Sequence, residues 1–489
     1  MGQIEAFHDE PWLVQDKIWK GLISSASNTE WGKTYGFENI NNHREYMERV
    51  PIQDYNSMKP FIERMMHGES DILWPGTINW FAKSSGTTED RSKFIPVSKE
   101  SLQDCHYKAG KDMYAIYYSL YPDANLVDGK SLVLGGSHQV SKFNKDCFYG
   151  DLSAVLLQNL PLWAEAKRTP SLSIALMDNW EKKIDEMARV VMHENVTNIL
   201  GVPTWTIVLI RRLFELTGKD NLADIWPGLQ LYVHGGVSFK PYDDLFKKLI
   251  RSDTMRYMET YNASEGFFGI QDSINSKDLL LMLDYGIFYE FIPVEDAHKE
   301  GARAYTLGEV VLDKQYALLI STNSGLWRYM LGDTIKFTSL NPYRISITGR
   351  TRHFINAFGE EVIVDNAEKA ISAASQKLGC VVSDYTAAPI YFSEHGNGAH
   401  EWIIEFETEP ENLDEFIDLL DGTLKEINSD YEAKRHLNMA LRKPVVHKVN
   451  KGTFYKWMKS RGKLGGQHKV PRLSNDRKYV EEILSFLQA

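Results

Sequence analysis

Short apolar, strand-like runs alternate with amphipathic helical stretches along most of this 489-residue chain. Three of the runs, at 131–134, 229–233 and 317–321, are punctuated by Gly, Asn or Ser, as strands usually are. Residues 178–194 and 205–216 carry apolar side chains at three- and four-residue spacing, which is typical of helices packed on one face. Interleaved strands and helices predict a layered α/β fold in which helices flank β-sheets.

The character of the chain changes near Gly349 and Arg350, where a strand-like run ends in a turn signal. About 140 residues remain beyond this point, a usual size for one small domain. They read in order as helix, strand, helix and final helix, at 366–378, 401–407, 413–424 and 479–487. We therefore expect a large N-terminal domain over 1–349 and a small α+β C-terminal domain over 350–489.

Charge and hydropathy limit which partners and which cellular location we expect. The formal net charge of −11 repels polyanions, so no nucleic-acid partner is expected. No stretch approaches the ~18 apolar residues of a membrane span, and the first residues do not read as a secretory signal. We expect a cytoplasmic protein with no membrane partner.

The cysteines point to the same compartment. Cys105, Cys147 and Cys380 are far apart and odd in number. Such spacing supports neither a disulfide framework nor a CxxC metal site, and it fits a reducing cytosol.

Residues 84–93, SSGTTEDRSK, form the first segment with candidate chemistry. Gly allows close backbone approach to a phosphate, and Ser and Thr hydroxyls donate hydrogen bonds to its oxygens. The apolar residues on both sides predict a hairpin that presents this loop. The GxxxxGK[ST] pattern of P-loop NTPases is absent. Taken alone, a stretch of this composition is most often a solvent-exposed turn.

Two later segments complement that loop. In YNASEG, residues 261–266, an aromatic ring that can cover a purine precedes Glu265, whose carboxylate can hold Mg²⁺. In RYMLGD, residues 328–333, Asp333 follows Gly332 and can accept hydrogen bonds from both hydroxyls of a ribose. In isolation, Glu265 would more often be a surface acid and Gly332-Asp333 a simple turn.

The ordered motifs SSGTTEDRSK, YNASEG and RYMLGD resemble the three ATP/AMP motifs of the GH3 acyl-acid amido synthetases, a branch of the adenylate-forming enzymes. Three further segments fit the same pattern: GVPTW at 201–205, HGGVSF at 234–239 and GQHKVPR at 466–472. The resemblance runs from about residue 10 to the end of the chain.

The resemblance implies a two-step ligase reaction. A carboxylate attacks the α-phosphate of ATP to give an acyl-adenylate and pyrophosphate, and an amine, as from an amino acid, then displaces AMP to form an amide. ATP and Mg²⁺ are the implied cofactors, and a small carboxylic acid and an amino acid the implied partners. The nucleotide-binding residues implied by the resemblance are Ser84, Ser85, Gly86, Thr87, Thr88, His234, Gly235, Gly236, Tyr261, Ser264 and Asp333.

Two residues are expected to be catalytic by the same resemblance. Glu265 would hold Mg²⁺, and Lys469, on a C-terminal domain that moves as a lid about a hinge near Arg350, would reach the α-phosphate in one domain orientation. Lys469 also belongs to an ordinary basic stretch with Lys463 and Arg472, which is the alternative interpretation.

The acyl pocket is less well marked. Thr204 and Trp205 open a helix after Pro203, and an aromatic wall there would suit an aryl or short alkyl acid. A Trp followed by aliphatic residues is also typical of plain core. The identity of the acid therefore stays open.

The third motif departs from the family pattern. Plant members usually carry Arg where this chain has Met330, and they are longer, so the chain resembles a compact bacterial-type member. Arg328 would lie on the same face if the segment is extended, and it could then substitute for the missing Arg.

Two alternatives to amide formation remain at this point. An acyl-CoA synthetase shares the adenylation step and differs in the second nucleophile. A non-catalytic acyl or nucleotide sensor would keep the fold without turnover, although Glu265, Asp333 and Lys469 are all retained.

Overall fold

Strands and helices alternate through the chain, which confirms the predicted α/β class. The computed structural model describes residues 2–85, 92–134, 140–177, 179–297, 299, 301–350, 354–393, 396–461 and 471–488. The α-helices are α1 (Gly2–Asp9), α2 (Pro11–Ala26), α3 (Glu30–Thr34), α4 (His43–Arg49), α5 (Tyr55–Met66), α6 (Lys108–Leu120), α7 (Leu152–Gln158), α8 (Leu162–Glu165), α9 (Leu172–Ala175), α10 (Trp180–Val191), α11 (Pro203–Thr217), α12 (Asp243–Leu249), α13 (Val364–Leu378), α14 (Leu413–Ile427), α15 (Ser429–Arg435), α16 (Thr453–Ser460) and α17 (Lys478–Gln488).

The strands form sheets of different sizes. They are β1 (Trp80–Ser85), β2 (Ser92–Val97), β3 (Lys130–Val133), β4 (Ser141–Lys142), β5 (Phe148–Gly150), β6 (Arg168–Thr169), β7 (Val196–Leu200), β8 (Leu231–His234), β9 (Arg256–Ala263), β10 (Gly266–Gln271), β11 (Leu279–Leu281), β12 (Ile287–Pro293), β13 (Gln315–Thr322), β14 (Tyr329–Leu340), β15 (Tyr343–Arg350), β16 (Phe354–Ile355), β17 (Val362–Ile363), β18 (Val381–Ile390), β19 (Ala399–Thr408) and β20 (Val445–Val449).

Local sequence signals explain where the helices begin and end. Pro203 at the first turn of α11 has the backbone angle that a helix start requires, and Gly218 ends the helix in the left-handed conformation. At the start of α10, the Asn179 side chain accepts a hydrogen bond from the Lys182 amide. Both helices match the periodicity of the sequence to within a few residues.

The largest sheet has a parallel half and an antiparallel half. Its strand order is β12-β13-β14-β15-β11-β10-β9-β8-β7-β3-β6. From β6 to β9 the neighbouring strands are parallel, and from β9 to β12 they are antiparallel. Parallel strands need crossover connections, and α10, α11 and α12 provide them.

The antiparallel half of this sheet curls. Tyr261 on β9 and Asp333 on β14 are separated by β10, β11 and β15, so a flat sheet would place their strands about 19 Å apart. The Tyr261 hydroxyl nevertheless donates a hydrogen bond to Asp333 Oδ2 over 2.6 Å. The sheet must therefore bend strongly enough to bring β9 and β14 face to face.

A second sheet has the order β2-β1-β5-β4. In it, β1 and β2 are antiparallel, with Ser84 opposite Lys93 and Ser85 opposite Ser92. This pairing confirms the predicted hairpin on both sides of the SSGTTEDRSK loop, whose residues 86–91 lie outside the described part of the chain.

Two large apolar cores hold these layers together. The first contains Phe81 of β1, Tyr261 of β9 and Trp327 before β14, so it joins the small sheet to the curled half of the large sheet. The second contains Trp205 of α11 together with Phe358 and Trp402, which lie beyond Gly349. The C-terminal part is thus packed tightly on the parallel half of the large sheet.

The predicted domain boundary near Gly349 lies at the end of β15 and stays a prediction. Beyond it, β18, β19 and β20 form a separate sheet. Helix α13 contacts β18, and α14 packs against α13. Polar contacts cross the junction as well as apolar ones, since the Tyr242 hydroxyl donates to the Ala357 carbonyl over 2.5 Å. Within the described residues, we find no helix with the length and apolar character of a membrane span.

Candidate active site

Tyr261 and Asp333 form the centre of the candidate site. Tyr261 is only 5% exposed, and its ring packs against Phe268 with centroids 4.9 Å apart. Asp333 is 8% exposed and receives the Tyr261 hydroxyl hydrogen bond. The sequence suggests a ring that covers a purine, but most of the ring surface is packed in the core. What Tyr261 directs toward the site is its hydroxyl.

Asp333 lies inside a strand and not in the simple turn that Gly332-Asp333 suggests in isolation. Both residues belong to β14, and Gly332 has a φ of +93°, a conformation that side-chain-bearing residues rarely adopt. β14 continues through this position with a register shift against β13, and Asp333 accepts the hydrogen bond from Tyr261 of β9.

Ser264 and Glu265 form the tight turn between β9 and β10. Ala263 pairs with Gly266, so these two residues are the whole loop of the hairpin. Both are half-buried. The turn places the Glu265 carboxylate on the hairpin that carries Tyr261, two residues beyond the end of β9.

The His234-Gly235-Gly236 segment begins at the last residue of β8 and lies against β9. The Thr260 hydroxyl donates to the His234 carbonyl over 3.2 Å. A Cβ at Gly235 would lie 2.6 Å from the Thr260 carbonyl oxygen, which is closer than real Cβ atoms come, and Gly236 has a φ of +79°. The close approach to β9 therefore requires Gly at 235, and the left-handed backbone favours Gly at 236.

His234 itself is buried and neutral. Its ring stacks on Phe239 with centroids 3.9 Å apart, and burial, helped by nearby Lys277, lowers the pKa of the imidazole to about 3. The Nδ1 atom has no hydrogen-bond partner among the described residues. A buried ring nitrogen without a partner is unusual, and the His234 residue lines a cavity.

That cavity measures about 400 Å³ and is lined by His234, Phe239, Tyr257, Glu259 and Lys277, among others. Burial raises the pKa of the Glu259 carboxyl, an effect that Lys277 reduces. Sequence reasoning missed Glu259. The available signal was its position two residues before Tyr261, because alternate residues of a strand lie on the same face.

The phosphate-loop residues are only partly described. Ser84 is half-buried on β1, and Ser85 ends that strand. Gly86, Thr87, Thr88 and Lys469 lie outside the described residues. Their roles, like those of the other site residues, stay predictions.

Thr204 and Trp205 lie in the second core and not along an open cleft. Trp205 is 1% exposed and stacks on Trp180 with centroids 3.8 Å apart. The Lys434 ammonium lies 4.8 Å from the Trp205 ring centroid on another side. The Thr204 hydroxyl donates to the Phe358 carbonyl over 3.3 Å. In this arrangement, the plain-core interpretation of this segment fits and the pocket-wall interpretation does not.

Arg328 does not substitute for the missing Arg at Met330. It has a φ of +44°, so the segment is not extended there. Its guanidinium donates to both oxygens of Glu290 and to the carbonyls of Met47 and Val50. The expectation that Arg328 lies on the same face was therefore wrong, because the left-handed backbone turns the side chain into a buried ion pair.

The Arg328–Glu290 pair leads to a stability prediction. The two side chains are 5% and 1% exposed. Replacing Glu290 with Gln removes the partner of a buried cation, so we expect the free energy of unfolding to fall by about 3 kcal/mol in urea denaturation. The control is Glu48→Gln, whose partner Arg44 is exposed, and it should change little. Equal losses in both variants would contradict the prediction.

The donor set suits a magnesium ion held mostly by substrate oxygens. Across the described ranges, no three His, Cys, Asp or Glu side chains are grouped as a metal site. Mg²⁺ commonly takes one or two carboxylates together with phosphate oxygens and water. Glu265 on the β9–β10 turn fits that arrangement.

Comparison with known proteins gives consistent results along the chain. Residues 1–255 match the GH3 family N-terminal domain, residues 280–350 the GH3 family central domain and residues 365–478 the GH3 family C-terminal domain. Among curated relatives, the indole-3-acetic acid-amido synthetase GH3.3 of Arabidopsis thaliana is 23% identical over 94% of this chain and 89% of its own. The jasmonoyl-L-amino acid synthetase JAR6 of Nicotiana attenuata is 23% identical over 96% and 92%.

Solved structures share the fold. The AtGH3.15 acyl acid amido synthetase in complex with 2,4-DB superposes with a TM-score of 0.64 at 17% identity, covering 99% of this chain and 95% of that one. A 2-hydroxyisobutyryl-CoA ligase in complex with 2-HIB-AMP and CoA gives 0.57 at 13% identity, with 99% and 94% covered. The family matches span well over half of the sequence. The chain therefore belongs to the GH3 family of acyl-acid amido synthetases, which are adenylate-forming ligases.

Proposed function

We propose that this protein activates a small carboxylic acid with ATP and transfers the acyl group to an amino acid. The observation that carries the proposal is the hydrogen-bonded Tyr261–Asp333 pair beside the Glu265 turn. Two of the three nucleotide motifs, 72 residues apart in sequence, meet there. The GH3 family membership supports the same reaction.

Each part of ATP has candidate partners on this surface. Asp333 accepts hydrogen bonds from the ribose hydroxyls, because a carboxylate offers acceptors only. The adenine base occupies the cavity beside His234-Gly235-Gly236, where Glu259 can accept a hydrogen bond from its amino group. Ser84, Ser85, Gly86, Thr87 and Thr88 bind the β- and γ-phosphates from the β1–β2 hairpin.

In the first step, an oxygen of the substrate carboxylate forms a bond to the α-phosphorus while the bond to the pyrophosphate oxygen breaks. Negative charge develops on the phosphate oxygens, so fixed donors around them lower the barrier. Glu265 would hold Mg²⁺, which when bound neutralises part of that charge. Lys469 supplies a further cation at the α-phosphate.

In the second step, the amine nitrogen attacks the acyl carbon of the adenylate. The bond from that carbon to the AMP oxygen breaks, and the nitrogen loses a proton. AMP and an amide are the products. Water must be excluded at this stage, because it would hydrolyse the adenylate.

The deciding experiment measures pyrophosphate release over a panel of aryl, indolyl and aliphatic acids, followed by mass spectrometry of products with pooled amino acids or with CoA. We expect pyrophosphate release with at least one acid and an amide mass in the amino acid pool. A CoA thioester in its place would identify an acyl-CoA synthetase. No release with any acid would favour a non-catalytic binding protein.

The ribose contact makes a separate prediction. Replacing Asp333 with Asn should raise the KM for ATP in pyrophosphate release about tenfold, because hydrogen bonds to a charged group contribute roughly 1.5 to 3 kcal/mol. The control is Asp313→Asn, an exposed carboxylate paired with Lys336, which should leave KM unchanged. If KM for ATP is the same in both variants, Asp333 does not bind the ribose.

A further inference from the structure

The Tyr261 hydroxyl is the feature from which we argue. It reaches Asp333 Oδ2 over 2.6 Å although the two residues lie on strands separated by three others. The ring is fixed by its packing against Phe268 in the first core. A donor that is anchored in the core and aimed at a carboxylate fixes the direction in which that carboxylate points.

We propose that Tyr261 is a positioning residue that orients the Asp333 carboxylate for recognition of the ribose hydroxyls. The proposal rests on the proposed function, since it assumes that Asp333 binds the ribose. It assigns to Tyr261 a role through its hydroxyl rather than through stacking on the base.

Burial makes this orientation important. Asp333 is 8% exposed, so water has little access to it and protein groups must stabilise its charge. A hydroxyl donor to a carboxylate forms a short, charge-assisted hydrogen bond. Without it, the carboxylate loses a donor that helps to fix its direction, and its two oxygens meet both ribose hydroxyls in a less favourable geometry.

The two possible roles of Tyr261 predict different nucleotide preferences. If Tyr261 orients Asp333, removal of the Tyr261 hydroxyl should weaken the binding of ATP much more than the binding of 2′-deoxyATP, because only ATP offers both ribose hydroxyls. If the ring stacks on adenine instead, both nucleotides should be equally affected, since they share the base. A general loss of folding would also affect both equally.

The test is calorimetric binding of ATP and 2′-deoxyATP to the full chain. Tyr261→Phe keeps the ring and removes the hydroxyl. We expect it to weaken the binding of ATP about tenfold and the binding of 2′-deoxyATP clearly less. The ratio of the dissociation constant of 2′-deoxyATP to that of ATP then shrinks. This ratio does not depend on the fraction of folded protein.

The matched control is Tyr289→Phe. The Tyr289 hydroxyl is also buried in the first core, and it donates to the Met282 carbonyl over 3.0 Å. Its removal costs a comparable buried hydrogen bond that does not involve Asp333, and it should leave the ratio unchanged. Adding Tyr261→Phe to Asp333→Asn should have little further effect, because the two side chains act as one unit.

Several results would overturn the inference: an unchanged ratio in Tyr261→Phe, an equal change in Tyr289→Phe, or additive effects in the double variant. Failure of the proposed function would look different. Suppose that Tyr261→Phe changes the ratio of dissociation constants but that the wild-type protein releases no pyrophosphate. The inference about Tyr261 would then stand, and the proposed reaction would be rejected.

Discussion

Replacing Glu265 with Ala is expected to slow pyrophosphate release by on the order of 100-fold while the free energy of unfolding stays nearly the same. Glu265 sits in the two-residue turn between β9 and β10 and is half-buried, so it contributes little to the apolar core. Its proposed contribution is a carboxylate for Mg²⁺. The first step then loses charge neutralisation on the phosphates.

The measurement is steady-state pyrophosphate release at several Mg²⁺ concentrations, with urea denaturation of the same samples. Glu265→Gln keeps the shape and removes the charge, and it should behave like the Ala variant. The control is Glu215→Ala, an exposed carboxylate paired with Arg212. Raised Mg²⁺ should rescue the Glu265 variants only weakly. Full activity in Glu265→Ala would show that the metal is held elsewhere.

The second large effect concerns Lys469. Lys469→Ala should slow adenylation by on the order of 100-fold and leave amide formation from supplied acyl-adenylate nearly unchanged. The reason is that a charge at the α-phosphate stabilises the transition state only in the step where the lid presents it. Lys469 lies outside the described residues, so this remains a prediction from sequence.

Two assays on one variant check this prediction: pyrophosphate release from acid plus ATP, and amide formation from the adenylate. Lys448→Ala, an exposed lysine of the C-terminal part paired with Glu409, is the control. Equal slowing of both steps by Lys469→Ala would indicate a folding defect. No slowing of either would assign Lys469 to a solvated basic stretch.

A swinging lid would have to break the contacts now made across the junction. Phe358 belongs to the same core as Trp205, and the Lys434 ammonium, whose pKa is lowered by burial, lies over the Trp205 ring. The Arg211 guanidinium also donates to the Asn397 side chain over 2.6 Å. The selectivity of the Lys469 variant therefore tests whether this packed orientation is only one of two.

Much of the fold, and the family to which the chain belongs, can be predicted from the sequence. Helices such as α11, with Pro203 at its start and Gly218 at its end, are specified by periodicity and by local breakers. Strands such as β13 are specified by short apolar runs between breakers. The hairpin around SSGTTEDRSK, the α/β class and the family were likewise predictable. Such signals act between residues close in the chain, where spacing alone determines which side chains share a face.

Only the tertiary structure decided how these elements meet. The curl of the sheet brings Tyr261 to Asp333. Tyr261, a candidate for stacking on the base, there donates a hydrogen bond through its hydroxyl. The left-handed backbone at Arg328 directs this candidate substitute for the missing Arg to Glu290. The packing of Trp205 on Trp180 places a candidate pocket wall in the core. These outcomes depend on sheet curvature, on one backbone angle and on contacts between distant elements, none of which the spacing of residues along the chain specifies.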